Sequence, residues 1–403
     1  MTITIERLGH RGDGIARGPI FVPLTLPGEV VEGDVKGDRL ENMRIVTPSA
    51  DRVSAPCSHF KSCGGCSLQH GSDEFIAAWK SGIVKASLAA HDIDIDVGQV
   101  HTSPPQSRRR ATLHSRRTKK GAIVGFHARA SDTVIEVPNC KLLDPDLMAA
   151  IPALQDLTAT VGSRKGELAL NVTKSLVGLD VSITGGRELD DQLRVTLAGL
   201  VEKHRFARLT WDGDMLAQRE PPLQQMGAAR VLPPPGAFLQ ATEHGQNSLV
   251  DAVKRAVGDA DRIVDLFAGC GTFALPLASN AEVLAVEDDA AMLAALDRGW
   301  REAKGLKKVT TQTRDLFRRP LMEDEFKKYD AVVIDPPRAG AEAQVNELIK
   351  SNISRIAFVA CNPVTFGRDA NILIKGGYRL EWIEVVDQFR WSPHIEIAAC
   401  FVR

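Results

Sequence analysis

From Arg262 to the C-terminus, apolar runs and amphipathic stretches alternate with a regular beat. The apolar runs predict strands at Arg262–Ala268, Glu282–Glu287, Lys308–Arg314, Tyr329–Asp335, Ile353–Ala360, Tyr378–Asp387 and Ile395–Val402. Helical periodicity fills most of the gaps between the first six, at Thr272–Ser279, Ala290–Lys304, Glu342–Ser351 and Val364–Lys375, with a weaker turn near Leu321–Lys327. Alternation of this kind predicts an α/β fold built on a doubly wound parallel sheet. The last two strands leave no room for a helix between them, so they are expected to pair antiparallel. The expected sheet therefore has six strands and an antiparallel seventh.

The first 48 residues read differently. Short alternating runs such as Thr2-Ile3-Thr4-Ile5, Ile20-Phe21-Val22 and Val30-Val31 are broken by Gly and Pro. Many short strands with tight turns suggest a small β-barrel of the oligonucleotide-binding kind or a generic β module. Residues 54–145 carry a cysteine cluster, an amphipathic helix near Asp73–His91, a cationic run, and strand-like Ala122–His127 and Thr133–Val137. A helix and strand candidates at Glu167–Thr173, Gly178–Thr184 and His204–Asp212 follow, before the prolines at 221–222 and 233–235. The expected division is 1–52, 53–228 (an α+β central domain) and 229–403. A length of 403 residues fits two or three domains.

Composition narrows the class. With 44% hydrophobic and 25% charged residues the chain reads as globular. No apolar run reaches the roughly 20 residues of a membrane span, and the N-terminus lacks a signal-peptide pattern, so a cytoplasmic protein without membrane contact is expected. A formal net charge of −1 says nothing about nucleic acid. The local run Arg108-Arg109-Arg110, Arg116-Arg117 and Lys119-Lys120 does, because no acidic residue lies between Ser107 and Ala130. Phosphate neutralisation is the expected role.

Three features carry chemistry. Asp265-Leu266-Phe267-Ala268-Gly269-Cys270-Gly271-Thr272 ends the first predicted strand and opens a helix. Gly269 and Gly271 let the backbone approach a ligand, which sits beyond the carboxyl ends of the strands. Glu287, ending the second strand, is placed for ribose hydroxyls, and Asp315, ending the third, for an adenine. By these residues alone any Rossmann-like nucleotide binder remains open. Cys361 in Ala360-Cys361-Asn362-Pro363 follows the fifth strand, on the same edge as Asp335 in Asp335-Pro336-Pro337-Arg338. A thiolate there is suited to add to C6 of a pyrimidine and make C5 nucleophilic. Glu396, opening the last strand, is a candidate base for the C5 proton. Arg338 stands where exocyclic N-methyltransferases usually carry an aromatic.

Seven cysteines, an odd count, argue against a disulfide framework. Cys57, Cys63, Cys66 and the distant Cys140 offer four thiolates in a three-plus-one spacing, compatible with zinc or an iron–sulfur cluster. Cys270 and Cys400 read as packing residues.

Together these residues resemble the RNA uracil-C5 methyltransferases, specifically the iron–sulfur branch acting on large-subunit ribosomal RNA, over nearly the whole chain. Cys361-Asn362-Pro363 is similar to that family's nucleophile motif and Asp335-Pro336-Pro337-Arg338-Ala339-Gly340 to its signature loop. Phe238-Leu239-Gln240 is similar to its F-x-Q turn. The resemblance implies a class I methyltransferase fold and S-adenosylmethionine as donor. Gln240, Phe267, Gly269, Thr272, Glu287, Asp315 and Asp335 fall at or beside its donor site, Asp335 also near the uracil edge. Cys361 and Glu396 are the implied catalytic pair, and Cys57, Cys63, Cys66 and Cys140 the implied [4Fe–4S] ligands. The segment Gly9–Glu29 resembles the TRAM domain, an RNA-binding barrel. The implied partner is 23S ribosomal RNA before or during ribosome assembly, bound by a monomer. Two departures are visible: Thr242 where the family often has Asn, and Ser392-Pro393-His394-Ile395-Glu396 where it often reads T-x-H-V-E. The alternatives are the T-loop of transfer RNA, disfavoured because that branch generally resembles only the catalytic part, and a catalytically silent RNA-binding protein.

Overall fold

The structure, a computed structural model, describes all residues from Met1 to Arg403. Strands Thr2–Leu8, Gly14–Ala16, Ile20–Val22, Val30–Lys36 and Arg39–Thr47 close into a five-stranded barrel. Alternation works as expected of a half-buried strand: Ile5, Ala16, Val22, Val31 and Leu40 fill its interior. The buried Glu29 carboxylate accepts from the Leu26 amide at 2.9 Å and pairs with Arg52, which ties the barrel to the segment after it.

The middle third forms a seven-stranded sheet in the order Asp214–Gln218, Arg208–Trp211, Gly178–Thr184, Leu168–Ser175, Arg110–Arg117, Ala122–His127, Val134–Glu136. The strand predicted over His204–Asp212 begins later, at Arg208, because His204 ends a helix, Asp191–His204. Leu193, Leu197, Leu200 and Val201 bury one face of that helix, and Arg205 stops it in the left-handed region at φ +55°.

The C-terminal sheet has eight strands, one more than expected. Its order is Val309–Thr313, Glu282–Glu287, Arg262–Leu266, Ala331–Ile334, Arg355–Ala360, Glu396–Val402, Arg379–Asp387, Val100–Thr102. The first five are parallel and Glu396–Val402 runs antiparallel between its neighbours Arg355–Ala360 and Arg379–Asp387. The eighth strand, Val100–Thr102, comes from the middle third and pairs parallel with Arg379–Asp387. Three residues with His101 at the centre are too short and polar to announce a strand.

Helix Asp73–Ala89 also leaves the middle third to pack on helix Pro363–Lys375. Gly367 permits the approach, since a Cβ there would meet the Ser87 carbonyl oxygen at 2.7 Å. A helix absent from the periodicity reading, Glu243–Val257, buries Leu249, Ala252, Val253, Ala256 and Val257 in the catalytic core. The Thr242 hydroxyl caps it by accepting from the Gly245 amide at 2.9 Å. No helix is long and apolar enough to cross a membrane.

Candidate active site

A cavity of about 530 Å³ opens at the carboxyl ends of the parallel strands. The Asp265–Thr272 turn forms one wall. Phe267 adopts φ +63°, rare for a residue with a Cβ, and Gly269 and Gly271 follow at +54° and +94°. This left-handed run turns the chain sharply and aims the Phe267 ring toward Phe317, with centroids 5.6 Å apart. The Glu287 carboxylate accepts from the Gly269 amide at 3.0 Å, joining the second strand to that turn. Asp315 accepts from the Phe317 amide at 3.0 Å. Gln240, Phe267, Gly269, Thr272, Glu287 and Asp315 all line this end of the cavity or its rim.

The other wall carries Asp335, Arg338, Cys361 and Glu396. Cys361 sits between strand Arg355–Ala360 and helix Pro363–Lys375. The Asn362 side chain caps that helix, accepting from the Val364 amide at 3.1 Å and donating to the Arg338 carbonyl at 2.9 Å. Glu396 is only 4% exposed.

The electrostatics are unusual for a nucleotide pocket. Burial pushes Asp265 well above the usual carboxylate range, with Asp335 adding to the effect. Burial and the Glu287 charge lift Asp335 to about 7. Burial and Asp335 lift Glu396 to about 8, although Gln388 and Arg338 pull it back. The Cys361 thiol is raised to about 11, by burial first and then by Glu396 and Asp335. Crowded carboxyls favour a cationic ligand and repel a pyrophosphate.

The cationic run divides. Arg109 Nε donates to the Gln240 carbonyl at 3.2 Å and its Nη2 to Gln246 at 2.7 Å. Arg110 donates to the Leu239 carbonyl at 2.7 Å and lies over the Phe238 ring, while Arg108 lies over Phe389. Arg109 and Arg110 hold the Phe238–Ala241 turn, Arg108 donates to the Arg110 carbonyl at 3.1 Å, and all three are partly buried, which corrects the expectation that the whole run meets phosphate. Arg116 pairs with Glu167, a residue far along the chain but adjacent in the sheet. Arg117, Lys119 and Lys120 remain exposed. His114 and His127 also contact Glu167, at 2.8 and 2.7 Å, with their rings stacked 3.6 Å apart. Both rings meet the same Glu167 oxygen, so the trio reads as a hydrogen-bonded cluster.

Cys57, Cys63, Cys66 and Cys140 surround a hollow walled by Phe60, Phe126, Val137 and Leu142. Four thiols gathered in one pocket suit either a tetrahedral zinc or an iron–sulfur cluster. Gly65 donates its amide to the Cys63 sulfur at 3.3 Å and Leu142 to the Cys140 sulfur at 3.4 Å, contacts that stabilise bound thiolates. Arg129 donates to the Cys66 carbonyl at 2.8 Å and places positive charge beside Cys63 and Cys66. Burial pushes the Cys66 thiol up to about 12, so a cation is needed to deprotonate it at neutral pH.

Phe317 and Gln388 escaped the sequence reading. Phe317 is 47% exposed yet lines the cavity. An exposed aromatic two residues after Asp315 was the available signal. Gln388 donates to the Gln240 side-chain oxygen and accepts from the Ala241 amide at 2.7 Å. Nothing in the sequence marks a contact across 148 residues.

Comparisons with known proteins agree with this geometry. Residues 234–403 match the tRNA (Uracil-5-)-methyltransferase family model. An uncharacterized RNA methyltransferase of Brucella suis biovar 1 is 43% identical over 404 residues, spanning 100% of this chain and 97% of its own. The 23S rRNA (uracil(1939)-C(5))-methyltransferase RlmD of Shewanella piezotolerans is 32% identical, spanning 100% of this chain and 95% of its own. Among solved structures, the Pyrococcus abyssi tRNA (uracil-54, C5)-methyltransferase in complex with S-adenosyl-L-homocysteine superposes with a TM-score of 0.79 at 23% identity. The match covers 100% of this chain and 99% of that one. A transfer-RNA enzyme thus shares the entire architecture, front end included. The front end therefore does not separate ribosomal from transfer-RNA enzymes.

Proposed function

This chain belongs to the RNA uracil-5-methyltransferase family, and from that premise we propose that it methylates C5 of a uridine in 23S ribosomal RNA through a Cys361–C6 adduct. The observation that carries the reading is the meeting of Cys361, Glu396 and Asp335 at one end of a cavity whose other end offers Phe267, Glu287 and Asp315. S-adenosylmethionine supplies an electrophilic methyl group on a sulfonium whose positive charge suits the crowded carboxyls. Phe267 and Phe317 would flank its adenosine end, Glu287 would take ribose hydroxyls, and Gln240, Thr272, Gly269 and Asp335 would border the rest.

Cys361, as thiolate, forms a bond to C6 of the uracil, and the displaced π electrons make C5 an enolate-like nucleophile. C5 takes the methyl group, and the C–S electrons stay with the departing thioether. Glu396 then removes the C5 proton. The electrons of that C–H bond restore the C5–C6 double bond and expel the thiolate. C5 and C6 lie in the base stack, so the uridine must be turned out of it.

The full-length likeness to the RlmD relative favours ribosomal RNA. The family model's name and the Pyrococcus fold keep the transfer-RNA T-loop as a second reading. RNA fragments carrying 5-fluorouridine decide between them. Fluorine cannot leave as a proton, so a denaturant-resistant protein–RNA band is expected with a 23S fragment. A band with transfer RNA alone reassigns the substrate.

The barrel reads as TRAM-like and RNA-binding, the protein as a cytoplasmic monomer. The parts 1–52, 53–228 and 229–403 serve as RNA-binding barrel, central domain and methyltransferase. Cys57, Cys63, Cys66 and Cys140 are read as ligands of a [4Fe–4S] cluster with a structural role, because their three-plus-one spacing along the chain is unlike the paired cysteines of structural zinc sites and the four meet in one pocket. Cys63→Ser is expected to give colourless, iron-poor protein that melts several degrees below the parent. Equal iron by elemental analysis in the two proteins rejects the cluster.

A further inference from the structure

The connection between the last two strands, Asp387–Ile395, leads directly into Glu396, and much of what fixes it comes from the 67–103 region rather than from the catalytic sheet. Lys80, on helix Asp73–Ala89 and fully buried, donates to the Asp387 carboxylate at 2.6 Å and to the His394 carbonyl at 2.9 Å. It thereby grips the connection at both ends. Trp391, at its middle, is 4% exposed and packs in the same core as Cys57, Cys63, Cys66 and Cys140. The Trp391 carbonyl accepts from the Ser67 and Leu68 amides at 2.8 and 3.0 Å, the two residues that follow Cys66. Arg390 pairs with Asp73 and donates to the Ser103 carbonyl at 3.1 Å. On the inner side, Gln388 meets Gln240 and the Ala241 amide.

Such anchoring is not what a connection needs merely to be stable. A buried ion pair often contributes nothing over an apolar replacement of like shape. Trp391 also holds φ +60°, a conformation that a residue with a Cβ adopts only when its surroundings impose it. These features set position. Cys361 needs none of them, since its place is fixed by strand Arg355–Ala360 and by the Asn362 cap. Glu396 opens the strand paired with Arg355–Ala360, so the catalytic sheet holds it on its C-terminal side, while the connection on its N-terminal side is held by the 67–103 region.

We propose that Lys80 and Trp391 are positioning residues for proton abstraction, holding the Asp387–Ile395 connection so that the Glu396 carboxylate faces C5 of the bound uracil. The inference rests on the assignment of Cys361 as nucleophile and Glu396 as base. It makes a specific claim about where the reaction stalls. Loss of either anchor displaces the base but leaves thiol addition and methyl transfer in place, so the covalent adduct, already methylated, accumulates on ordinary uridine. A displacement of about 1 Å is enough to cost on the order of a hundredfold.

The test uses the full chain with its metal content intact, a 23S fragment with unmodified uridine, and S-adenosylmethionine. Trp391→Ala, Trp391→Phe and Lys80→Met are compared with the parent, Cys361→Ala and Glu396→Gln. Three quantities are read: donor affinity, denaturant-resistant adduct, and tritium release from [5-³H]uridine RNA. Trp391→Ala and Lys80→Met are expected to keep parental donor affinity, to accumulate adduct as Glu396→Gln does, and to release tritium on the order of a hundredfold more slowly. Trp391→Phe, which keeps a ring in the core, is expected to recover most of the rate, and with Lys80→Met it carries the test should Trp391→Ala fail to fold. Parental tritium release in Lys80→Met and Trp391→Ala, with Glu396→Gln stalled, overturns the proposal while sparing the base. Joint loss of donor affinity and adduct overturns it in favour of a general scaffolding role. Parental turnover by Glu396→Gln removes the base assignment and the proposal with it.

Discussion

Cys361→Ala is expected to lose turnover by about 10⁴-fold or more, the scale on which deleting a catalytic nucleophile acts. It is also expected to form no denaturant-resistant bond with 5-fluorouridine RNA. Donor affinity should stay close to parental, because the adenosine end of the cavity is built from Phe267, Glu287 and Asp315 and not from this residue. The burial that raises the thiol to about 11 adds a second, measurable consequence. At pH 7 the free protein then holds roughly one thiolate in 10⁴ molecules at this position. Glu396 and Asp335 contribute to that shift, so a bound sulfonium, bringing opposite charge, must lower it. Alkylation of Cys361 by iodoacetamide, followed against pH, should therefore show its inflection move down when S-adenosylmethionine is present. An inflection that stays put, or moves up, would contradict the electrostatic picture of the cavity. Residual turnover of Cys361→Ala near the parental rate would remove the covalent mechanism.

Glu396→Gln is expected to slow proton abstraction by about 10²- to 10⁴-fold, the usual range for a general base. The adduct should then accumulate on ordinary uridine, with no fluorine needed. The pH dependence follows from the carboxyl's environment, raised to about 8 by burial and by Asp335. The base must be ionised to act, and a raised value means that it is largely protonated at neutral pH. Where proton abstraction limits it, the kcat of the parent should thus climb about tenfold per unit as pH rises toward 8, and any further rise above 8 belongs to the Cys361 thiol, raised to about 11. Asp335, lifted to about 7, steepens the acid side if its ionised form holds the donor. Glu396→Gln should lack the limb near 8. Tritium release at the parental rate, with the same limb, would assign the proton to another group.

Each expectation draws on residues that differ in how readable they were. The turn Asp265–Thr272, the acids ending the strands, and Cys361-Asn362-Pro363 sit within a few residues of the strands that position them, so their spacing carried the information. Helix Glu243–Val257 was readable too, with Thr242 as cap and apolar residues at helical spacing, but it precedes the first strand, outside the gaps where helices were sought. The cationic run shows the opposite case. Its charge was plain, but the acceptors of Arg109 and Arg110 lie about 130 residues away, at Gln240 and Leu239. Charge is a property of the residue, whereas its use depends on what the fold brings against it.

The same division runs through the molecule. By itself the sequence determined the order of strands and helices from Arg262 onward, the short alternating strands of the N-terminal part, and the chemical groups available, because local periodicity and turn chemistry act within a few residues. Only the tertiary structure decided which groups meet. It added Val100–Thr102 as an eighth strand, brought Cys140 into one pocket with Cys57, Cys63 and Cys66, and raised Asp335, Glu396 and Cys361 by burying them together. It also placed Lys80 and Trp391 behind the base. Burial and charge pairing arise between segments distant in the chain, and their energies appear only when packing has removed the water between them.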